Sequence, residues 1–144
     1  MSAGLTASTP GKVLYTAKVR TTGGREGTSR SSDGRLDIKH SSPGSAAVGT
    51  NPEQLFAAGW SACFQGAMGI AARNMKVALP ADMTIDAEVD LVRTGDAYTI
   101  QARLNVSLPG LETNLAAALA NAAHQTCPYS KAVRGNINAE INIV

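Results

Sequence analysis

The chain contains two cysteines, Cys63 and Cys127, and their thiols are the side chains best suited to chemistry. A thiol can be inert packing, half of a disulfide, a metal ligand or a nucleophile. Cys63 lies in the run Gly-Trp-Ser-Ala-Cys-Phe-Gln-Gly, where an alanine would pack as well, and Cys127 directly precedes Pro128. Because the N-terminus lacks the basic-then-apolar order of a secretory signal, a structural disulfide is not expected.

The positions of the two cysteines predict different reactivities. Cys127 should cap the short helix after it, where free backbone N–H groups and the helix dipole lower a thiol pKa. Cys63 should lie in the middle of a helix, away from such donors. Two charged residues in unusual places offer another route to a thiolate: Arg25 follows a Gly-Gly turn, and Glu53 begins an apolar helix. An arginine held by a carboxylate can stabilise a thiolate without a histidine.

His124 offers an alternative chemistry. It lies three residues before Cys127 and shares its helical face, which suits a Cys–His nucleophile and base, as in a hydrolase. A zinc site needs three or four ligands, and besides carboxylates the chain offers two histidines, His40 and His124, and the two cysteines. We therefore expect neither a metal nor a cofactor.

Composition limits the partners and the size of the fold. The 144 residues carry 13 basic and 11 acidic side chains, and this balance predicts neither nucleic acid nor an anionic membrane as a partner. The length suits one domain, which we expect as a flexible arm over 1–11 and a single domain over 12–144. Residues 55–72 approach the length of a membrane span, but Ser61, Gln65 and several glycines interrupt them. The sequence favours a cytoplasmic protein.

Hydrophobic patterning and turn signals predict an α+β domain in the order βββ-α-ββ-α-β. Strands are predicted at 12–20, 25–31, 36–38, 83–91, 98–108 and 137–143, and helices at 52–75, 111–126 and 129–134. The return strand of the second hairpin should turn the following side chains inward: Tyr98, Ile100, Ala102, Leu104, Val106 and Leu108.

The first helix has clear start signals and an unusual composition. Thr50 or Asn51 can cap it, Pro52 suits its first position, and Glu53 suits the positive end of its dipole. It is apolar on nearly every side, so it should be buried all round. A narrow stripe of mostly small residues would let another backbone approach: Gly59, Ala62, Cys63, Gly66 and Gly69 or Ile70. Because so short a chain cannot easily cover such a helix, we expect a homodimer.

Two long motifs resemble those of the organic hydroperoxide resistance (Ohr) proteins of the Ohr/OsmC family. Residues 49–64, Gly-Thr-Asn-Pro-Glu-Gln-Leu-Phe-Ala-Ala-Gly-Trp-Ser-Ala-Cys-Phe, are similar to the first cysteine motif. Residues 123–137, Ala-His-Gln-Thr-Cys-Pro-Tyr-Ser-Lys-Ala-Val-Arg-Gly-Asn-Ile, are similar to the second. Thr-Gly-Gly-Arg at 22–25 and Ser-Leu-Pro-Gly-Leu at 107–111 extend the resemblance over nearly the whole chain from Lys12. Cys-Pro-Tyr-Ser and Arg-Gly-Asn-Ile favour the Ohr branch over the OsmC branch.

The resemblance implies an OsmC-like fold, with antiparallel sheets wrapped around central helices in an intertwined homodimer. It implies a thiol-dependent peroxidase that reduces organic, especially fatty-acid-type, hydroperoxides to alcohols in oxidative stress defence, and that a lipoylated protein reduces again. Cys63 would be the peroxidatic cysteine, passing through a sulfenic acid, and Cys127 would resolve it as a disulfide. Arg25 and Glu53 would hold the Cys63 thiolate and orient the peroxide.

The resemblance conflicts with local reasoning at two points. It assigns the attack to Cys63, although the helix cap favours Cys127, so the activation of Cys63 must come from Arg25. Glu53 lies ten residues before Cys63, about 15 Å along a straight helix, so we predict that it serves the partner subunit's site through Arg25.

Some features could modify the substrate preference. Trp60 stands where family members commonly carry tyrosine, Gln65 adds a polar group, and the 41–49 loop is short. The candidates for an apolar substrate lining are Phe56, Trp60, Phe64 and Met68. The remaining alternatives are a Cys–His hydrolase that uses His124 and a non-enzymatic carrier of hydrophobic molecules.

Overall fold

A computed structural model describes residues 11–144, which form two compact units that divide after Thr50. Of the predicted arm 1–11, all but Gly11 lies outside the described residues. The elements occur in the predicted order βββ-α-ββ-α-β, with the second helical segment split in two. They are β1 (Val19–Thr22), a 3-10 turn (Gly24–Glu26), β2 (Thr28–Ser31), β3 (Asp37–Lys39), α1 (Pro52–Met75), β4 (Thr84–Thr94), β5 (Ala97–Ser107), α2 (Thr113–Thr126), α3 (Pro128–Val133) and β6 (Ala139–Ile143).

The first unit contains an antiparallel sheet in the order β1-β2-β3. The strand predicted at 12–20 begins only at Val19, which pairs with Ser31 at the end of β2. Strand β2 has only four residues, so it ends opposite Val19. Residues 11–18 pair with no strand in the described structure, and the Ser32 N–H donates to the Lys18 carbonyl. The alternation of apolar and polar residues over 12–20 predicts too long a strand, because a β-strand also needs a neighbouring strand for its backbone hydrogen bonds.

The buried side chains of the first unit are polar. The Ser29 hydroxyl lies 2.7 Å from the Thr21 hydroxyl and 2.6 Å from His40 Nε2, and Ser29 and His40 are both buried. Among described residues 11–50, no apolar side chain is buried, and Leu14 and Tyr15 are 87% and 78% exposed. The described part of the first unit, residues 11–50, therefore contains no hydrophobic core.

A glycine fixes the turn that carries Arg25. A side chain on Gly27 would place its Cβ 1.7 Å from the Thr22 carbonyl oxygen and 2.7 Å from the Gly23 Cα. Only glycine allows the chain to close so tightly around the 3-10 turn. Arg25 thus lies on a short, sharply defined loop between β1 and β2.

Helix α1 begins and ends where the sequence predicts. Asn51 is its N-cap, and its side-chain oxygen accepts a hydrogen bond of 2.9 Å from the Gln54 N–H. Pro52 occupies the first helical turn, and the helix ends at Met75. The capping prediction is confirmed for Asn51.

A single chain covers α1 only in part, and burial on all sides by a homodimer stays a prediction. One face is buried, while a stripe on another face is exposed, including Ala58, Ala62, Gly66 and Ile70. By length and composition alone α1 could cross a membrane, a test that the core helix of a soluble protein also passes. Its buried residues are Trp60, Phe64, Ala67, Met68, Ala71 and Ala72.

The second sheet has the order β4-β5-β6. Strands β4 and β5 form the predicted hairpin, with Thr94 paired to Ala97. Strand β6 pairs with β5 in parallel, from Ala102–Ala139 to Val106–Ile143, so the expectation of purely antiparallel sheets is wrong. A parallel neighbour requires a crossover, which α2 and α3 supply between β5 and β6.

The inward face of β5 is confirmed over most of its length. Ala102, Leu104, Val106 and Leu108 are buried with side chains of α1 and α2 in the core of the second unit. Tyr98, however, is 64% exposed, and the Arg93 guanidinium lies 5.9 Å from the centre of its ring. The tip of the hairpin extends beyond the helices that cover the rest of the sheet, so alternation there does not mean burial.

A charge cluster joins β4 to β5 on the opposite face of this sheet. Arg103 donates to Asp90 through Nη1 and Nη2 at 2.8 and 3.0 Å, and through Nε to Glu88 at 2.6 Å. These bonds from Arg103, with one from Gln101, lower the pKa of Asp90 to about 2. A lowered carboxyl pKa stabilises the fold above the unfolded-state pKa of about 3.9, and this stabilisation is lost as the pH falls toward 2.

Asp90→Asn should therefore weaken the acid sensitivity of the fold. Between pH 4 and 2 the free energy of unfolding should fall less in Asp90→Asn than in the wild type, as measured by urea unfolding. Asp86→Asn is the matched control, because Asp86 pairs with Asn105 rather than with Arg103 or Gln101. An equal fall in the free energy of unfolding in the wild type and in Asp90→Asn would contradict the role of Asp90 in this pH dependence.

Candidate thiol site

The fold brings the two cysteines together. Cys63 lies in the middle of α1 and Cys127 between α2 and α3, and their sulfur atoms are 3.5 Å apart although 64 positions separate them in the chain. Cys127 is fully buried, whereas Cys63 is partly exposed. A disulfide has a sulfur–sulfur distance of about 2.05 Å, so a closure of about 1.5 Å separates this thiol pair from a covalent bond.

Pro128 explains why Cys127 is placed so sharply. The residue before a proline is restricted to extended backbone, and Cys127 has φ −60° and ψ 124°. Its N–H bonds to the Ala123 carbonyl at 2.8 Å and so ends α2, while its carbonyl accepts from the Lys131 N–H at 2.9 Å and so begins α3. One residue thus joins two helices, and its side chain points at α1.

The start of α3 contacts both cysteines. Cys127 is the N-cap of α3, as the sequence predicts, and its side chain makes no capping hydrogen bond. The Tyr129 backbone N–H instead bonds to Cys63 and lowers its pKa. Burial is the larger effect, and the net result is that the pKa of Cys63 is raised above its ordinary value.

Contacts that the sequence did not reveal hold α3 against α1. Trp60 Nε1 donates to Ser130 Oγ at 3.1 Å, and both residues are fully buried. The Tyr129 ring lies directly over Gly59, where an added Cβ would meet its hydroxyl oxygen at 2.7 Å. Phe56 packs edge-on against both Trp60 and Tyr129, with ring centres 5.7 and 6.2 Å apart. The only sequence signal was that Tyr129 and Ser130 belong to the second cysteine motif.

The candidates for an apolar substrate lining separate into two groups. Trp60, Phe64 and Met68 are fully buried and form the core, so they present no surface to a substrate. Phe56 is partly exposed, and Tyr129 is 39% exposed beside it. The accessible aromatic surface next to the thiol pair is therefore formed by Phe56 and Tyr129.

Within residues 11–144, His124 packs against Phe64 and not against either sulfur. Its ring packs near that of Phe64, at 6.5 Å between centres, and its Nδ1 is buried without a hydrogen-bond partner in the described chain. Burial and the nearby Arg134 lower its pKa. No hydrogen bond joins it to either sulfur among residues 11–144, so the nucleophile–base contact of a Cys–His hydrolase is missing there.

The other two predicted site residues lie on defined elements. Glu53 occupies the first turn of α1, and because α1 runs unbroken from Pro52 to Met75, its distance from Cys63 along the axis is about 15 Å, as expected. Arg25 lies in the 3-10 turn of the first unit. Their pairing and their action on Cys63 stay predictions. Among the described residues, no group of three or more His, Cys, Asp or Glu side chains is arranged to hold a metal ion.

Comparison with known proteins places the chain in a family. Residues 42–142 match the family model described as OsmC-like protein. The chain is 45% identical to the organic hydroperoxide resistance protein of Xanthomonas axonopodis pv. citri, over 94% of this chain and 99% of that one. It is 41% identical to OhrB of Bacillus subtilis, over 90% of this chain and 98% of that protein.

Solved structures agree with the sequence relatives. The crystal structure of Bacillus subtilis OhrB superposes with a TM-score of 0.86, covering 92% of this chain and all of that one at 41% identity. An organic hydroperoxide resistance protein of Vibrio cholerae, with captopril bound in one of the active sites, superposes with a TM-score of 0.85 at 36% identity, over 92% of this chain and 93% of that one. These likenesses confirm the predicted α+β, OsmC-like fold.

The packing of Tyr129 on Gly59 predicts a contrast between two glycines of α1. Within one chain, Gly66→Ala adds a Cβ that meets nothing within 4 Å, so at a protein concentration that keeps the chain monomeric it should stabilise the helix by about 1 kcal/mol. Gly59→Ala should displace Tyr129 and be less stable than Gly66→Ala by about 1–3 kcal/mol. Urea unfolding of both variants measures the difference, and equal stabilities would contradict the close approach.

Proposed function

The chain belongs to the OsmC-like family and to its organic hydroperoxide resistance branch, and on that premise we propose that it is a thiol peroxidase for organic hydroperoxides. The observation that carries the proposal is the 3.5 Å approach of the Cys63 and Cys127 sulfurs. A partly exposed thiol beside a fully buried one suits the division into an attacking and a resolving cysteine. Its physiological role would be defence against oxidative stress in the cytoplasm.

The proposed reaction has three steps. The Cys63 thiolate attacks the terminal oxygen of the hydroperoxide ROOH, the O–O bond breaks, and with one proton the products are the alcohol ROH and a Cys63 sulfenic acid. The Cys127 thiol then attacks the Cys63 sulfur and releases water, which leaves a Cys63–Cys127 disulfide. A dithiol reduces this bond by two exchange steps and becomes a disulfide itself.

Arg25 and Glu53 complete the proposed site. Because burial raises the pKa of Cys63, attack at neutral pH needs a favourable charge beyond the Tyr129 N–H. Arg25 would supply that charge and orient the peroxide, while Glu53 would hold the guanidinium, in the partner subunit's site as predicted from the distance along α1. The sharp turn imposed by Gly27 supports a fixed position for Arg25.

The surroundings of the thiol pair suit an apolar substrate. Phe56 and Tyr129 present aromatic surface beside Cys63, and the core below it is closed by fully buried side chains. A fatty-acid-type hydroperoxide could place its chain along this surface while its peroxide group reaches the thiol. Gln65 and the short 41–49 loop would then tune the accepted size.

The proposed reductant is a dithiol on a lipoylated protein. Captopril, which carries a thiol, is bound in one of the active sites of the Vibrio cholerae relative, which supports access by a small thiol compound. Turnover with dihydrolipoamide should exceed turnover with thioredoxin under the same conditions.

The proposed assembly is an intertwined homodimer. The first unit buries no apolar side chain in its described residues, and Val13, Leu14 and Tyr15 are 76%, 87% and 78% exposed. The exposed stripe of α1 that includes Gly66 likewise has room for a close backbone. A second copy of the chain would cover both surfaces.

One equivalent of cumene hydroperoxide tests the reaction. The wild-type chain should lose two hydrogens, as seen by intact mass, because the disulfide forms. Cys127→Ser should stop at the sulfenic acid or oxidise further, and Cys63→Ser should not react. An unchanged wild-type mass would contradict the peroxidase and favour a carrier of hydrophobic molecules.

Arg25→Ala should slow the oxidation of Cys63 at pH 7 on the order of 10- to 100-fold, since an adjacent positive charge lowers a thiol pKa by one or more units. The deficit should narrow as the pH rises, because the thiolate then forms without help. Stopped-flow oxidation across pH 6–10 measures both effects. Arg20→Ala, on β1 of the same unit, is the matched control, and a deficit that does not change with pH would exclude action through the thiol pKa.

A further inference from the structure

A hydrogen bond between two buried side chains joins α3 to α1 inside the core of the second unit. Trp60 Nε1 donates to Ser130 Oγ at 3.1 Å, between residues that are 70 positions apart and both fully buried. The indole N–H can only donate a hydrogen bond and cannot accept one. Leaving a buried donor without an acceptor lowers the free energy of unfolding. The bond therefore restrains the distance between the two helices.

Helix α3 depends on such contacts for its position. It has six residues, from Pro128 to Val133, which is too short to be stable by its own hydrogen bonds. Its buried side chains are those of Ser130 and Val133. Ser130 is the one that makes a polar, and hence directional, contact with α1.

The bond lies one helical turn from each sulfur. Trp60 precedes Cys63 by three residues on α1, and Ser130 follows Cys127 by three residues, so each partner lies beside one thiol. Helix α3 also carries the Tyr129 N–H that bonds to Cys63. Any shift of α3 away from α1 would move both Cys127 and this N–H away from the Cys63 sulfur.

We propose that Trp60 and Ser130 are positioning residues that hold Cys127 within bonding reach of Cys63, so that the oxidised thiol is resolved as a disulfide. The proposal rests on the proposed peroxidase function. Neither residue touches the reacting atoms, and both act through the placement of α3. Trp60, which stands where tyrosine is common, thus has a role in the redox centre rather than in the substrate lining.

The sulfenic acid on Cys63 has two fates, and the position of Cys127 determines the balance between them. In the first, the Cys127 thiol attacks the Cys63 sulfur, the S–O bond breaks, and water leaves. In the second, another molecule of ROOH transfers an oxygen to the sulfenic acid, which becomes a sulfinic acid while ROOH becomes ROH. The first fate requires the sulfurs to close by about 1.5 Å, whereas the second requires no movement of α3.

Two variants remove the bond from opposite sides. Ser130→Ala deletes the acceptor, and Trp60→Phe deletes the donor while keeping an aromatic ring in the core. After three equivalents of cumene hydroperoxide, the ratio of sulfinic acid to disulfide, read by intact mass, should rise about tenfold in each variant, because a displacement of about 1 Å in a reacting group costs up to 100-fold in rate. The double variant should show no larger rise than either single one, since one interaction is lost in all three.

Thr126→Ala is the matched control. It also removes a hydroxyl next to Cys127, but that hydroxyl donates to the Ala122 and Ala123 carbonyls within α2. Its ratio of sulfinic acid to disulfide should equal that of the wild type. A tenfold rise in Thr126→Ala would overturn the proposal, because it would mean that any local loosening around Cys127 suffices.

A measurement without peroxide separates this proposal from the peroxidase itself. At equilibrium with reduced and oxidised dithiothreitol, the Cys63–Cys127 disulfide should be about tenfold less favoured in Ser130→Ala and Trp60→Phe than in the wild type, since a less well-placed thiol has a lower effective concentration. If the wild type fails to react with hydroperoxide, the peroxidase is wrong and this equilibrium still decides the proposal. An unchanged equilibrium in Trp60→Phe overturns it, even where Ser130→Ala does not fold.

Discussion

The crossing of α1 with the α2–α3 junction is the constraint on which the rest of the site depends. It brings the Cys63 and Cys127 sulfurs to 3.5 Å, and every other feature near them acts by fixing that crossing. Pro128 separates α2 from α3 so that Cys127 faces α1. The absence of a side chain at Gly59 allows the Tyr129 ring to pack against the surface of α1. The bond from Trp60 to Ser130 then sets how closely the two elements approach. The thiol pair is thus brought together by helix packing rather than by a flexible loop.

The same burial that brings the thiols together also opposes their chemistry. Desolvation raises the pKa of Cys63, and the Tyr129 N–H offsets this only in part. A buried thiol is protected from indiscriminate oxidation, because the thiolate is the reactive form. Selective activation then requires a charge that is specific to the assembled site, which is the role proposed for Arg25.

Much of this arrangement could be predicted from local sequence, because local rules decide it. The Asn51-Pro52 pair fixes the start of α1 within a few residues, and Cys127-Pro128 fixes the break between α2 and α3. Features that depend on distant neighbours could not be read in this way. The start of β1 depends on the length of β2, and the exposure of Tyr98 depends on where the covering helices end.

The thiol site shows the same division between local and distant information. Both cysteines are identifiable from the sequence as chemistry-bearing residues, and Cys127 is the N-cap of α3 as predicted. The sequence does not reveal that the Tyr129 N–H acts on Cys63, which lies on another helix. The lining prediction failed for a related reason: Trp60, Phe64 and Met68 lie on the buried side of α1, and composition does not say which apolar side meets the sheet. Helical spacing predicts which residues are neighbours within α1. Only the packing of α3 against α1 shows that Trp60, expected to line a substrate pocket, instead donates a hydrogen bond to Ser130. In a site formed where two helices cross, the residues that set the distance between the helices also set the geometry of the site. Sequence periodicity does not identify these residues, because it describes neighbours within one helix only.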